Sequence, residues 1–166
     1  MGGTAAHSCD LVPVSRLETK VPPPIVALLF ALAMWPLARG LPHLALAPPL
    51  RIGVACLVVG IGAVFAVGGF VAFRRAKTTV DPTDPSKASS LVTSGVYRIT
   101  RNPMYVGLVF LLTGWAIALA SPVLLAAPFV FALYISHFQI QPEERALTAI
   151  FGNAYRDYRT KVRRWL

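Results

Sequence analysis

Along the chain, hydrophobic positions gather into four long runs separated by polar or proline-bearing breaks. The first covers 22–41, apolar from Ile25 to Leu37 except for Pro36. The second, 52–73, holds no charge at all, and Arg74, Arg75 and Lys77 end it abruptly. The third and fourth, 103–120 and 123–141, are separated only by Ser121-Pro122. Each run approaches the roughly 20 residues that an α-helix needs to cross a bilayer. The Ser121-Pro122 break leaves room only for a tight helical hairpin, so the third and fourth runs are expected to be antiparallel neighbours. In the second run Gly62, Ala66 and Gly69 share a face, where small residues let another helix approach closely. The predicted fold class is all-α, a polytopic membrane helical bundle of about four transmembrane helices.

The segments between and beyond the runs read differently. Residues 1–21 are mixed polar with no strong period, which predicts a frayed N-terminal tail. The rest, 22–166, reads as one membrane domain. A leader cleaved after Ala45-Leu46-Ala47 is the rival reading of the first run; the long tail ahead of it, with Asp10 and Glu18, and Pro48 after the cut oppose it. The loop 74–102 is dense in turn residues, with Asp81-Pro82, Asp84-Pro85 and a serine cluster. Over 142–165, Leu147, Ile150, Phe151, Tyr155, Tyr158, Val162 and Trp165 recur at helical spacing, with five basic residues clustered among them from Arg156 to Arg164. This predicts an amphipathic C-terminal helix lying on the membrane surface. Pro142 suits its first position, and Glu143-Glu144 suit its first turn, where the helix dipole favours acids.

Composition sharpens the membrane reading. Hydrophobic residues make up 55% of the 166 residues and charged residues 14%, against about 25% charged in soluble domains. The net charge is +9, but its distribution does not suit nucleic acid. Apart from Arg39 and Arg51, every Lys and Arg lies in the N-terminal tail, between Arg74 and Arg101, or between Arg145 and Arg164. That asymmetry marks cytoplasmic segments of a membrane protein. It predicts an integral protein of the inner or plasma membrane with both termini, the 74–102 loop and the C-terminal helix cytoplasmic. Cys9 and Cys56 offer no disulfide or metal spacing, and the three histidines are scattered.

The chemistry gathers at GVYRITRNPMYVG, residues 95–107, where two arginines, two tyrosines and an asparagine cluster at the entry to the third run. The hairpin brings this stretch beside Glu143 and Glu144. Two readings are open on spacing alone. In the structural one, Asn102 caps a helix begun by Pro103, the tyrosines and arginines anchor the interface, and the glutamates cap or pair. In the other, the same groups line a ligand site.

The run LVTSGVYRITRNPMYVG, then an apolar hairpin, then PEERALTAIFGNAYRDYRTKVRRW resembles the superfamily of isoprenylcysteine carboxyl and phospholipid methyltransferases. Its pattern is Gly-x-Tyr-x-x-x-Arg-His-Pro-x-Tyr-x-Gly, a hairpin, Glu-Glu, and Phe-Gly-x-x-Tyr-x-x-Tyr, and the similarity covers roughly 78–165. The resemblance implies an integral membrane enzyme that binds S-adenosylmethionine without a Rossmann domain and methylates a lipophilic or lipid-linked acceptor. Carried over by position, cofactor contacts fall on Ser89, Ser90, Leu91, Val92, Tyr97, Asn102, Pro103, Met104, Tyr105, Glu143 and Glu144. Arg98 and Arg101 are candidates for the cofactor carboxylate, and Arg101 and Glu144 are the candidates nearest to a catalytic role. A carboxylate holds the cofactor ammonium well, and a tyrosine face attracts its sulfonium. Two departures stand out. The family's histidine is Asn102 here, and the stretch 136–142 lacks the arginine that isoprenylcysteine enzymes carry before the acidic pair, which weakens an isoprenylcysteine substrate. The alternatives are an NADPH-dependent membrane reductase of the sterol-reductase type, and a non-enzymatic membrane assembly protein.

Overall fold

The computed structural model describes residues 21–76 and 90–166. The expectations for 1–20 and for Ser89 lie outside these residues. Helix α1 runs over Pro23–Ala38 and α2 over Pro48–Arg75; each opens on a proline, whose missing N–H costs nothing in a first turn. A 3-10 turn, Gly95–Arg98, precedes α3, Pro103–Ala118. A second 3-10 turn, Pro122–Leu125, leads into α4, Ala126–Ile135. A π turn, Ser136–Ile140, then joins α4 to α5, Gln141–Phe151, so that Pro122–Phe151 is one 30-residue helix. The last helix, α6, covers Asn153–Lys161.

Packing follows the small residues. A Cβ on Gly107 of α3 would lie 2.8 Å from both Ala66 Cβ and Gly62 O of α2, and one on Gly114 would lie 3.0 Å from Ala55 O. The face expected from Gly62, Ala66 and Gly69 is therefore where α2 meets α3. Helix α1 closes against α3 and α4, with Phe30 edge-on to Phe131 and Trp115 Nε1 donating to Ala31 O at 3.0 Å. Substituting Gly107 by alanine should destabilise the protein by about 1–3 kcal/mol, because backbone must move to admit the methyl. Gly53, whose Cβ would meet nothing within 4 Å, is the control. Thermal unfolding in detergent should separate the two, and equal melting points would exclude tight α2–α3 packing.

The outside of this bundle is as apolar as its inside. Leu57 and Phe129 are each 66% exposed while Ala55 and Gly62 are buried. Soluble proteins rarely expose continuous apolar faces of this extent; hydrocarbon accepts them. Helices α2 and Pro122–Phe151 are long and apolar enough to cross a membrane, whereas α1 and α3 are apolar but shorter, at 16 residues each. The link between α1 and α2 meets the α3–α4 turn, with Leu44 N donating to Ala120 O at 2.8 Å. Both connections thus lie at one end of the bundle, and the polar chemistry lies at the other.

The C-terminal region differs from the single helix expected over 142–165. Gly152, at φ 53°, breaks it into α5 and α6, a conformation that side chains with a Cβ rarely adopt. After Lys161 the chain is extended and forms a parallel bridge from Arg163 to Thr100. Pro142 likewise does not begin a free helix. It follows the π turn inside a continuous one, where the widened turn tolerates its missing N–H.

Candidate active site

The site is assembled from four stretches at the polar end of the bundle. Gly95, at φ 61°, turns the chain into the 3-10 segment that buries Tyr97. The Tyr97 ring stands edge-on to Phe73 of α2 with centroids 5.4 Å apart, and Tyr158 of α6 donates its hydroxyl to Tyr97 O at 2.6 Å. Val92 packs into this corner with Ala72, and Ser90 Oγ donates to Ala76 O at 3.3 Å. Burial holds the Tyr97 and Tyr158 hydroxyls above the usual phenol range, so both stay neutral.

The C-terminal strap, residues 162–166, locks the entrance to α3. Arg101 N donates to Arg163 O at 3.0 Å. Thr100 Oγ1 at 3.1 Å and Asn102 Nδ2 at 2.9 Å both donate to Arg164 O. Trp165 Nε1 reaches Ser136 Oγ of the π turn at 3.2 Å. Asn102 stands at the N-cap of α3, yet its side chain makes no cap bond; the carbonyl of Arg164 takes that donor instead.

The two glutamates have opposite surroundings. Glu144 is buried, and Arg164 grips it through two parallel bonds, Nε to Oε1 at 3.1 Å and Nη2 to Oε2 at 2.7 Å. Arg101 Nη1 lies 3.0 Å from Oε1, and Arg159 Nη2 lies 3.7 Å from Oε2. Glu143 instead accepts a hydrogen bond from Tyr105 Oη at 3.2 Å. Burial raises its carboxyl to about 7, against a lowering by Tyr105 and with a further push from Glu144; among the described residues no cation bears on it. Buried Gln139, from the π turn, pairs with the same tyrosine hydroxyl.

Set against the sequence, the hairpin did bring the 95–105 stretch to the acidic pair. Tyr97, Tyr105 and Glu143 form one cluster; Arg101, Asn102 and Glu144 form another with the strap. Pro103 and Met104 seat α3 on Gly69 of α2. Arg98 is exposed and joins neither cluster among the described residues. Leu91 is half-buried beside Val92. Glu144, expected as a cofactor contact and a catalytic candidate, has its charge answered by arginines, as the structural reading of the sequence allowed. Arg164, Thr100 and Gln139 were not anticipated. The Arg163-Arg164-Trp165 ending was the available signal, since a tryptophan closing a basic run suggests a docked end.

At the same polar end of the bundle stand a carboxylate, Glu143, that no cation among the described residues answers, and a guanidinium, Arg101, with unfilled donors. Among the described residues, buried Arg101 Nε has no hydrogen-bond partner, and Nη1 is out of line for a bond to Glu144.

Comparison with known proteins bears on this geometry. The chain is 35% identical over 105 residues to methanethiol S-methyltransferase of Pseudomonas deceptionensis, covering 60% of this chain and 37% of that protein. It is 35% identical over 82 residues to protein-S-isoprenylcysteine O-methyltransferase of Mus musculus, covering 48% of this chain and 28% of that protein. An uncharacterized protein of Haemophilus influenzae is 41% identical over 63 residues, its whole length. The aligned part thus spans well under half of the two named enzymes. No solved structure matches the chain. The phospholipid methyltransferase family pattern matches residues 50–154, from the start of α2 into α6. With more than half of its length matched, and with the Tyr105–Glu143 cluster inside the match, the chain belongs to the phospholipid methyltransferase family.

Proposed function

We propose that the protein is an integral membrane methyltransferase that uses S-adenosylmethionine and acts on a lipophilic or lipid-linked acceptor. The observation that carries this is that, among the described residues, no cation answers Glu143 and the buried Nε of Arg101 is without a partner, with both groups at the polar end of the bundle. An amino-acid zwitterion complements both: its ammonium suits Glu143 and its carboxylate suits Arg101. The rings of Tyr97 and Tyr105, which belong to the Glu143 cluster, suit a sulfonium or adenine. When bound, the cofactor supplies an electrophilic methyl group. The protein's task is then to hold the acceptor in line and exclude water, and a thiolate acceptor needs no general base. Ser90 to Val92 border the entrance in this reading, and Glu144 serves as scaffold.

Helices α1 and α3 complete a four-span domain over 22–166, with the site and both termini on the cytoplasmic side. The basic residues concentrated at the site end support that orientation, as does the pairing of the two other connections at the opposite end. The absence of arginine from 136–142 favours a small lipophilic thiol, a phospholipid amine or another lipid over an isoprenylcysteine carboxylate. Purified protein mixed with methyl-labelled cofactor and a membrane lipid extract should move label into the organic phase. Label absent from every lipid fraction, with cofactor binding intact, would remove the lipid acceptor; no cofactor binding at all would remove the whole reading.

A further inference from the structure

A second polar concavity lies on the other side of α5. Gln141, Glu144, Arg145 and Thr148 recur at i, i+3, i+4 and i+7, and with Arg159 of α6 they line a cleft of about 420 Å³. At 100° per residue Glu143 projects from nearly the opposite side of the helix, so this cleft is separate from the Tyr105 cluster. Its acidic wall is already neutralised: Glu144 is held bidentate by Arg164 and approached by Arg101. Arg159 adds a further guanidinium, 42% exposed and only 3.7 Å from Glu144 Oε2, a loose contact that leaves donors facing the cleft. Thr148 has committed its proton to Glu144 O at 2.6 Å. The cleft therefore presents an excess of positive charge and N–H donors around a closed carboxylate. It also begins at Gln141, immediately after the apolar stretch ends at Ile140, the depth at which lipid phosphates lie beside a spanning helix.

We propose that this cleft binds a phosphate-type oxyanion, with Arg159 as its principal ligand. Guanidinium groups match such oxygens with paired, charge-assisted bonds. This goes beyond the methyl-transfer reading and does not depend on it. The test uses the full chain in uncharged detergent, titrated calorimetrically with inorganic phosphate, with monomeric short-chain phosphatidylglycerol, and with phosphatidylcholine of the same chain length. Binding of phosphate and phosphatidylglycerol alike identifies a soluble oxyanion as sufficient; binding of phosphatidylglycerol alone identifies a lipid headgroup. In either case Arg159→Gln should weaken binding at least about tenfold, the scale of one lost charge-assisted contact. Arg163→Gln, an equal charge change at an exposed strap residue, should leave it within about twofold, and S-adenosylhomocysteine affinity should be unchanged in Arg159→Gln. The proposal falls if neither anionic probe binds better than phosphatidylcholine, or if the two arginine variants weaken binding equally. It also falls if Arg159→Gln weakens S-adenosylhomocysteine as much as phosphate, since the cleft would then belong to the cofactor site.

Discussion

Replacing Glu144 by leucine is expected to destabilise the protein by about 3–5 kcal/mol, the cost of leaving a buried charge without its partner. Arg101 is the group left stranded. Its side chain is 10% exposed, and its contact to Glu144 is the ion pair that balances it. Arg164 would lose a bidentate grip but has a route to solvent, at 32% exposure, so its own loss costs less. The strap should loosen as well, because the Arg164 side chain no longer reinforces the bonds its carbonyl accepts from Thr100 and Asn102. Thermal unfolding in detergent measures the loss, and the double variant Arg101→Leu/Glu144→Leu should recover part of it, as expected when a buried pair is removed together. A melting point for Glu144→Leu close to wild type would mean that the arginine cluster does not hold this end of the bundle together. In the same experiment Arg164→Ala should fall between the two.

That cluster also shows where sequence patterns stop being informative. The apolar runs located the helices because hydrophobicity is a local property, and the Gly62/Ala66/Gly69 face was legible because helical spacing alone puts those residues in line. The neighbourhood of Tyr105 and Glu143 followed from the short Ser121-Pro122 turn. Glu144, however, finds Arg164 twenty residues later across the break at Gly152, and the apolar period resumes in α6 after that single residue, which hides the break. The π turn adds to the difficulty. One extra residue in a turn rotates everything after it by roughly 100° relative to an unbroken α-helix, so the faces of Glu143 and Glu144 could not be assigned from spacing. Thr100 and Asn102 illustrate the same limit: both look like local capping residues, and both donate to a carbonyl from the far end of the chain.

The functional counterpart is Glu143. In the unfolded chain its carboxyl titrates near 4.5, and in the folded protein burial raises it to about 7. The raised value means that the fold prefers the protonated form. The associated stability is present below 4.5 and is lost as pH climbs through 7. A cationic ligand reverses the preference, since an ammonium or sulfonium next to Glu143 favours the carboxylate. Affinity for S-adenosylhomocysteine, whose ammonium would contact Glu143, should therefore be low near pH 5.5, rise through 7 and level off above it. Glu143→Gln should bind at least about tenfold more weakly at pH 8, as expected for a lost charge-assisted contact, with no rise between pH 5.5 and 8. Stability should move the other way: at pH 8 the glutamine variant carries no buried charge and should melt at least as high as wild type. That opposition distinguishes a ligand-binding carboxylate from a structural one, because a residue that merely supports the fold would lose affinity and melting temperature together. Tyr105→Phe, which removes the hydrogen bond to Glu143, should push the midpoint of the binding curve upward in pH, since that bond is what partly stabilises the carboxylate. A pH-independent affinity in wild type, or an unweakened Glu143→Gln, would take Glu143 out of the cofactor site and leave its burial beside Tyr105 without a role in binding.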